Sequence, residues 1–128
     1  MIYLDTSVAL AHLLAEDVSP PEKLWQESLV SSRLIEYQIW TRIHARKLGR
    51  SHGDEVRSLL GRVALIELAP TVLVRALEPF PKPVRTLDAI HLASMDFLHK
   101  QGQAVTLASY DDRMMTAARA LRFPIYQL

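Results

Sequence analysis

Hydrophobic positions fall in short blocks divided by polar, proline or glycine residues. Ile2-Tyr3-Leu4 is an apolar run that stops at Asp5-Thr6-Ser7, the pattern of a strand feeding a helix cap. Residues 8–15 are apolar nearly all round apart from His12, which predicts a helix buried between other elements or in a partner interface. Ser19-Pro20-Pro21 interrupts the pattern, and Pro21 suits the first turn of a helix over 21–29. Val30-Ser31-Ser32 predicts a short strand running into a long helix over 33–48, closed by Gly49. A helix over 53–61, a strand over 63–68 ended by Pro70, and a helix over 71–77 follow. Pro79-Phe80-Pro81-Lys82-Pro83 is a rigid, non-helical loop. Residues 86–100 put Leu87, Ile90, Ser94, Phe97 and Leu98 on one helical stripe, with Gly102 beyond its end. Residues 104–108 form a buried-type strand, 111–121 a helix, and Pro124-Ile125-Tyr126 a last edge strand.

Strands alternating with helices imply a three-layer α/β/α sandwich around a central, mainly parallel sheet. At 128 residues with 49% hydrophobic, the chain can bury a real core as one domain over 1–128. There is no internal repeat and no linker-like stretch. A formal net charge of +1 neither supports nor excludes a nucleic-acid partner. The absence of cysteine removes disulfides, thiol catalysis and Cys-type zinc sites together. The opening residues carry no basic lead and no apolar run approaches membrane-spanning length, so a soluble cytoplasmic protein is expected, with no membrane partner.

Against this background four carboxylates stand out: Asp5, Glu36, Asp88 and Asp111. Each lies at a strand end or early in a helix, beside segments that form a core, and acids in such places are normally paired or metal-bound. In open parallel sheets, sites form beyond the carboxyl ends of the strands, which Asp5 and Asp111 both reach. An oxygen-only cluster suits Mg²⁺ or Mn²⁺, which would relieve carboxylate repulsion and promote phosphodiester hydrolysis. Whether one ion or two bind stays open.

Each acid also has a structural reading. Asp5 could cap the helix after it, although Thr6 and Ser7 could serve as well. Glu36 points within roughly 20° of Ile43 on a helical wheel and cannot form a capping box with Ser32, which leaves a salt bridge with Lys47 or an arginine. Asp88, in a first helical turn, suits the helix dipole, with His91 as a structural neighbour. Asp111 and Asp112 compete both to cap the last helix and to be the fourth ligand, and Asp111, nearer the strand end, is the better candidate.

These acids stand in motifs that resemble PIN-domain ribonucleases. Ile2-Tyr3-Leu4-Asp5-Thr6-Ser7 is similar to the hydrophobic-Asp-Thr-Ser start of that family, and the segment from Ser32 to Glu36 to its Ser/Thr-rich lead into a Glu-bearing helix. Arg85-Thr86-Leu87-Asp88-Ala89-Ile90-His91-Leu92-Ala93 resembles the form found in the toxins of VapBC toxin–antitoxin pairs. Leu107-Ala108-Ser109-Tyr110-Asp111-Asp112-Arg113-Met114 resembles the later Thr-x-Asp motif, with Ser109 where Thr is commoner. The resemblance covers essentially the whole chain. It implies a PIN-like fold and a Mg²⁺- or Mn²⁺-dependent endoribonuclease with Asp5, Glu36, Asp88 and Asp111 as catalytic metal ligands. It also implies an RNA substrate, a homodimer, and neutralisation by a small antitoxin protein.

Arg42, Arg46 and Arg50 recur every fourth residue, predicting one basic ridge on the long helix, with Lys47 beside it. That ridge could track RNA phosphates, form a solvated face or seat an acidic antitoxin tail. Lys82, Arg85 and Arg113 are further phosphate candidates, and Tyr3, Tyr37, Trp40 and Tyr110 could stack on bases or belong to the core. Competing readings are a housekeeping RNA-processing nuclease and a silent PIN-like domain that binds RNA or protein. An aspartyl-phosphate enzyme is disfavoured, because Ser7 stands where a phosphohydrolase needs a second acid.

Overall fold

The computed structural model describes residues 1–128. Its strands are β1 (Ile2–Leu4), β2 (Leu29–Ser32), β3 (Val63–Ile66) and β4 (Thr106–Ala108). Its helices are α1 (Thr6–Leu13), α2 (Leu34–Ala45), α3 (Gly49–Leu60), α4 (Pro70–Ala76), α5 (Thr86–Lys100) and α6 (Asp112–Ala120). The strands form one sheet in the order β3-β2-β1-β4, and every pairing is parallel. Each crossover carries helix, as parallel neighbours require.

Alternation along the strands divides the core in two. Ile2 and Leu4 of β1, with Leu29 of β2, face a cluster built with Val8, Leu13, Ile39 and Val56 of α1–α3. Tyr3 and Val30 face the opposite cluster, with Leu92, Met95 and Met114 of α5 and α6. The result is the expected three-layer α/β/α sandwich, with β1 in an inner position of the sheet. No helix is long and apolar enough to cross a membrane.

Several expected elements are displaced. The helix expected over 21–29 is a 3₁₀ turn, Glu22–Gln26, with only Leu24 buried. Leu29 instead belongs to β2, where it pairs with Ile2. The long helix stops at Ala45 rather than reaching Leu48. Lys47 takes φ +58°, while Lys47 N–H bonds to His44 O at 3.0 Å and Leu48 N–H to Ile43 O at 2.9 Å. These are the reversed bonds of a Schellman end, and they place a lysine where glycine is favoured. Gly49 therefore starts α3 instead of closing α2. The proposed Arg42–Arg46–Arg50 ridge is broken at the same turn, because Arg50 lies in the next helix.

On α5 the buried face runs through Leu92, Met95 and Leu98, while Leu87 is exposed. This helix lies between the sheet and α4, so its burial exceeds a single stripe. Pro124-Ile125-Tyr126 contributes one parallel bridge, Ile125 to Leu107, rather than a strand.

Candidate active site

Asp5 is the centre of the carboxyl edge. Its backbone begins α1, but its side chain makes no capping bond to that helix. Instead Asp5 Oδ2 accepts from Ser7 Oγ at 2.6 Å and from Ser109 Oγ at 2.8 Å. Asp5 is 5% exposed, so these hydroxyls replace most of the water a carboxylate would otherwise hold. Each hydroxyl is itself fixed: Ser7 Oγ accepts from Tyr110 N–H and Ser109 Oγ from Asp111 N–H. Ser109 thus ties the end of β4 to β1, the work a threonine hydroxyl would do in its place.

Asp88 and Asp111 meet through Arg85. The guanidinium donates to Asp88 Oδ2 from Nε at 3.3 Å and to Asp111 Oδ2 from Nη2 at 3.2 Å. Burial pushes the Asp88 carboxyl above its usual range; Arg85 opposes this, and the charges of Asp111 and Asp5 add to it. Arg85 thus joins Asp88 to Asp111, and Ser109, bonded to both the Asp5 carboxylate and the Asp111 N–H, joins Asp111 to Asp5. Asp111 also caps α6, its Oδ1 accepting from Arg113 N–H at 2.9 Å and Met114 N–H at 3.4 Å. Capping is therefore one of its roles, whereas Asp112 enters the helix exposed.

Glu36 is drawn elsewhere. It is half-buried and paired with Arg33, which also binds Glu67 at the end of β3. The salt-bridge reading holds for this residue, with Arg33 rather than Lys47 as partner. Glu67 is held below the usual carboxylate range by the Arg33 hydrogen bonds. Ile35, Ile39 and Ile43 take the fully buried positions of α2, which leaves Glu36 beside the core instead of in it. Both arginines stand three residues before their acids, Arg33 before Glu36 and Arg85 before Asp88, a spacing legible in the sequence.

All four candidate donors are carboxylates, which suits a hard divalent cation. In this conformation no three acidic or histidine side chains converge to hold an ion. Arg85 supplies the counter-charge between Asp88 and Asp111, and Arg33 supplies it to Glu36. The set therefore fits such a cation in its donor chemistry, with Glu36, Asp88 and Asp111 turned toward guanidinium groups and Asp5 held by Ser7 and Ser109.

A cavity of about 510 Å³ opens beside Asp88, lined among others by Lys82, Arg85, Asp112, Arg113 and Thr116. The chain's ion pairs include neither Lys82 nor Arg113. The three basic residues proposed from sequence as phosphate contacts thus line one cavity. Of the aromatics, Tyr3 is fully buried and unavailable for stacking, while Tyr37 is 63% exposed. Trp40 is already stacked on His44, with ring centroids 5.4 Å apart.

Fold and site together define the class. The sequence profile of the PIN domain family matches residues 2–120, and the chain belongs to that family. It is 29% identical over 130 aligned residues to Ribonuclease VapC35 of Mycobacterium tuberculosis (strain ATCC 25618 / H37Rv), covering 98% of this chain and 95% of that protein. It is 28% identical to Ribonuclease VapC47 of Mycobacterium tuberculosis (strain CDC 1551 / Oshkosh), covering 96% of this chain and 93% of that one.

Proposed function

We propose that this chain is an endoribonuclease using Mg²⁺, or Mn²⁺ in its place, and the toxin of a toxin–antitoxin pair. The observation that carries it is the link from Asp88 through Arg85 to Asp111, and from Asp111 through Ser109 to Asp5, beside a cavity lined by Lys82, Arg85, Asp88 and Arg113. The names of both mycobacterial ribonucleases, aligned almost end to end with this chain, support the same reading. We assign Asp5, Glu36, Asp88 and Asp111 as the residues that hold the cation. Once bound, the ion supplies Lewis acidity, neutralising charge on the phosphate and acidifying water.

The chain's own residues do the rest. Ser7 and Ser109 hold Asp5 by one oxygen, which leaves Oδ1 free of hydrogen bonds within the protein. Burial raises the Asp88 carboxyl and Asp111 and Asp5 add to that, so a cation held there would favour its ionised form. Arg85 is 64% exposed at its side chain, so it can leave the carboxylates and turn to a phosphate with Lys82 and Arg113. A single-stranded RNA backbone crossing that wall would be gripped through its phosphates, with affinity falling as salt rises.

On this reading the partners are RNA, a small antitoxin protein and a second copy of the chain, acting in the cytoplasm where cellular RNA is found. One PIN-like domain over 1–128 carries the activity. The test is cleavage of structured RNA by antitoxin-free protein in Mg²⁺, Mn²⁺ or EDTA, beside Asp5→Asn. Metal-dependent cutting lost in the variant is expected; equal cutting in EDTA would overturn the reading. A second reading, a silent domain that binds RNA without cutting, draws on the guanidinium-paired acids. RNA binding without any calorimetric Mn²⁺ uptake would favour it.

A further inference from the structure

Beneath the acidic edge runs a chain of polar groups that none of those steps uses, buried at Tyr3, Ser32, His91 and Thr6 and partly buried at Gln38. Ser32 N–H donates to Tyr3 Oη at 3.1 Å, and Tyr3 Oη lies 2.7 Å from His91 Nδ1. His91 Nε2 lies 2.7 Å from Gln38 Oε1, to which Thr6 Oγ1 also donates at 2.6 Å. Hydrogen-bond accounting fixes the protons. A carbonyl oxygen only accepts, so His91 carries its proton on Nε2. Nδ1 is then a bare acceptor, and the Tyr3 hydroxyl donates to it while accepting from Ser32. Donors thus run from both ends toward Gln38 Oε1, whose two lone pairs are filled by Thr6 and His91.

The members of this network stand next to the proposed cation-binding acids. Thr6 follows Asp5, Gln38 lies two residues past Glu36, and His91 lies one helical turn past Asp88. Tyr3 and His91 are fully buried, so water cannot replace a lost partner there. Asp5 and Asp88 both lie close enough to act on the His91 ring.

Resting on the ribonuclease reading, we propose that Gln38 is a positioning residue: by accepting from Thr6 and His91 at once, it fixes the seating of α1, α2 and α5 and hence the spacing of Asp5, Glu36 and Asp88. An apolar side chain at 38 orphans the His91 N–H and the Thr6 hydroxyl, and each must find another partner by moving its helix or side chain. Mg²⁺ demands near-octahedral oxygen geometry, so small shifts of the carboxylates weaken it.

The test compares wild type, Gln38→Met, Tyr3→Phe and Val56→Ala, the last a core truncation in α3 outside the network. Mn²⁺ alone is titrated calorimetrically without RNA, thermal unfolding is followed, and kcat and KM for RNA are measured. Gln38→Met is expected to bind Mn²⁺ about 10–100-fold more weakly and to lose kcat with KM for RNA unchanged. Tyr3→Phe should shift both in the same direction, and it carries the test should Gln38→Met not fold. Val56→Ala should lower the unfolding temperature with Mn²⁺ affinity unchanged. Gln38→Met within about twofold of wild type in Mn²⁺ affinity would overturn the proposal. So would an equal loss in Val56→Ala, which would reduce the effect to general stability. If wild type neither binds Mn²⁺ nor cuts RNA, the ribonuclease reading falls and takes this role with it. A normal wild type beside an unaffected Gln38→Met defeats the positioning role alone.

Discussion

Substituting Asp5 in two ways separates what its charge does from what its shape does. Both buried-side bonds converge on one oxygen, Oδ2, from Ser7 and Ser109. Asn can present its carbonyl oxygen at that place, so Asp5→Asn keeps both bonds and weakens them from charge-assisted to neutral. That change costs about 1 kcal/mol per bond. Loss of the negative charge also removes repulsion of Asp88, which offsets part of the cost. The net effect on metal-free stability should lie within about 1–2 kcal/mol of zero. Asp5→Ala has no acceptor to offer. It orphans two hydroxyl donors and opens a small void, costing about 2–4 kcal/mol, or roughly 6–20 °C in unfolding temperature for a domain this size. Circular dichroism melts in EDTA, paired with RNA cleavage in Mn²⁺, read both effects. Both variants should fall to the buffer blank in cleavage while only the alanine variant loses much stability. Equal melting temperatures for the two would refute the two-hydroxyl account, and cleavage retained by folded Asp5→Asn would refute the role of its charge.

Asp88 should give metal-free stability a pH dependence. Its folded pKa is raised above the ordinary 3.8, mainly by burial, so its contribution is fully present below that value and is lost as pH rises through the raised one. Asp88→Asn removes this slope, and its advantage in urea unfolding with EDTA should grow from acid toward neutral pH; a constant or reversed difference would contradict the assignment. Lys47→Gly should raise stability by about 0.5–1 kcal/mol in a thermal melt, because Lys47 holds a left-handed φ of +58°. A loss would mean that the lysine side chain contributes more than its backbone costs. Asp96→Ala should destabilise by about 2 kcal/mol in denaturant titration, since Arg75, on α4 and 16% exposed at its side chain, relies on Asp96 of α5 for its ion pair. A change under about 0.5 kcal/mol would place this pair among the energetically silent ones.

Local chemistry made part of this protein readable in one dimension. The apolar runs Ile2-Tyr3-Leu4 and 104–108, with Asp5 and Asp111 beyond them, specify two strands and an acidic carboxyl edge, but not the order of the strands in the sheet. Helix ends were less legible. Gly102, with φ +85°, closes α5 as expected, but Ala15, Lys47 and Arg122 adopt the same left-handed form without glycine. All three are exposed, and each turn is held by a local pair of reversed bonds, such as Glu16 N–H to Ala11 O, Leu48 N–H to Ile43 O and Phe123 N–H to Ala118 O, which offset the steric cost.

The candidate site shows the same division. The residue types and order of Asp5, Glu36, Asp88 and Asp111 were fixed by sequence, and so were the Arg33 and Arg85 spacings. The chain alone does not say that Asp5 is held by Ser109, which lies 104 residues away, or that Arg85 serves two acids from different elements. Nor does it link Tyr3 to His91 or His91 to Gln38, which the sheet and two helices bring within hydrogen-bond reach. Sequence determines propensity, periodicity and donor chemistry, because these depend on neighbours along the chain. Which carboxylates share a field, which guanidinium answers them and which amide unites three helices depend on contacts across the fold, and only the parallel packing of β1 between β2 and β4 decides them.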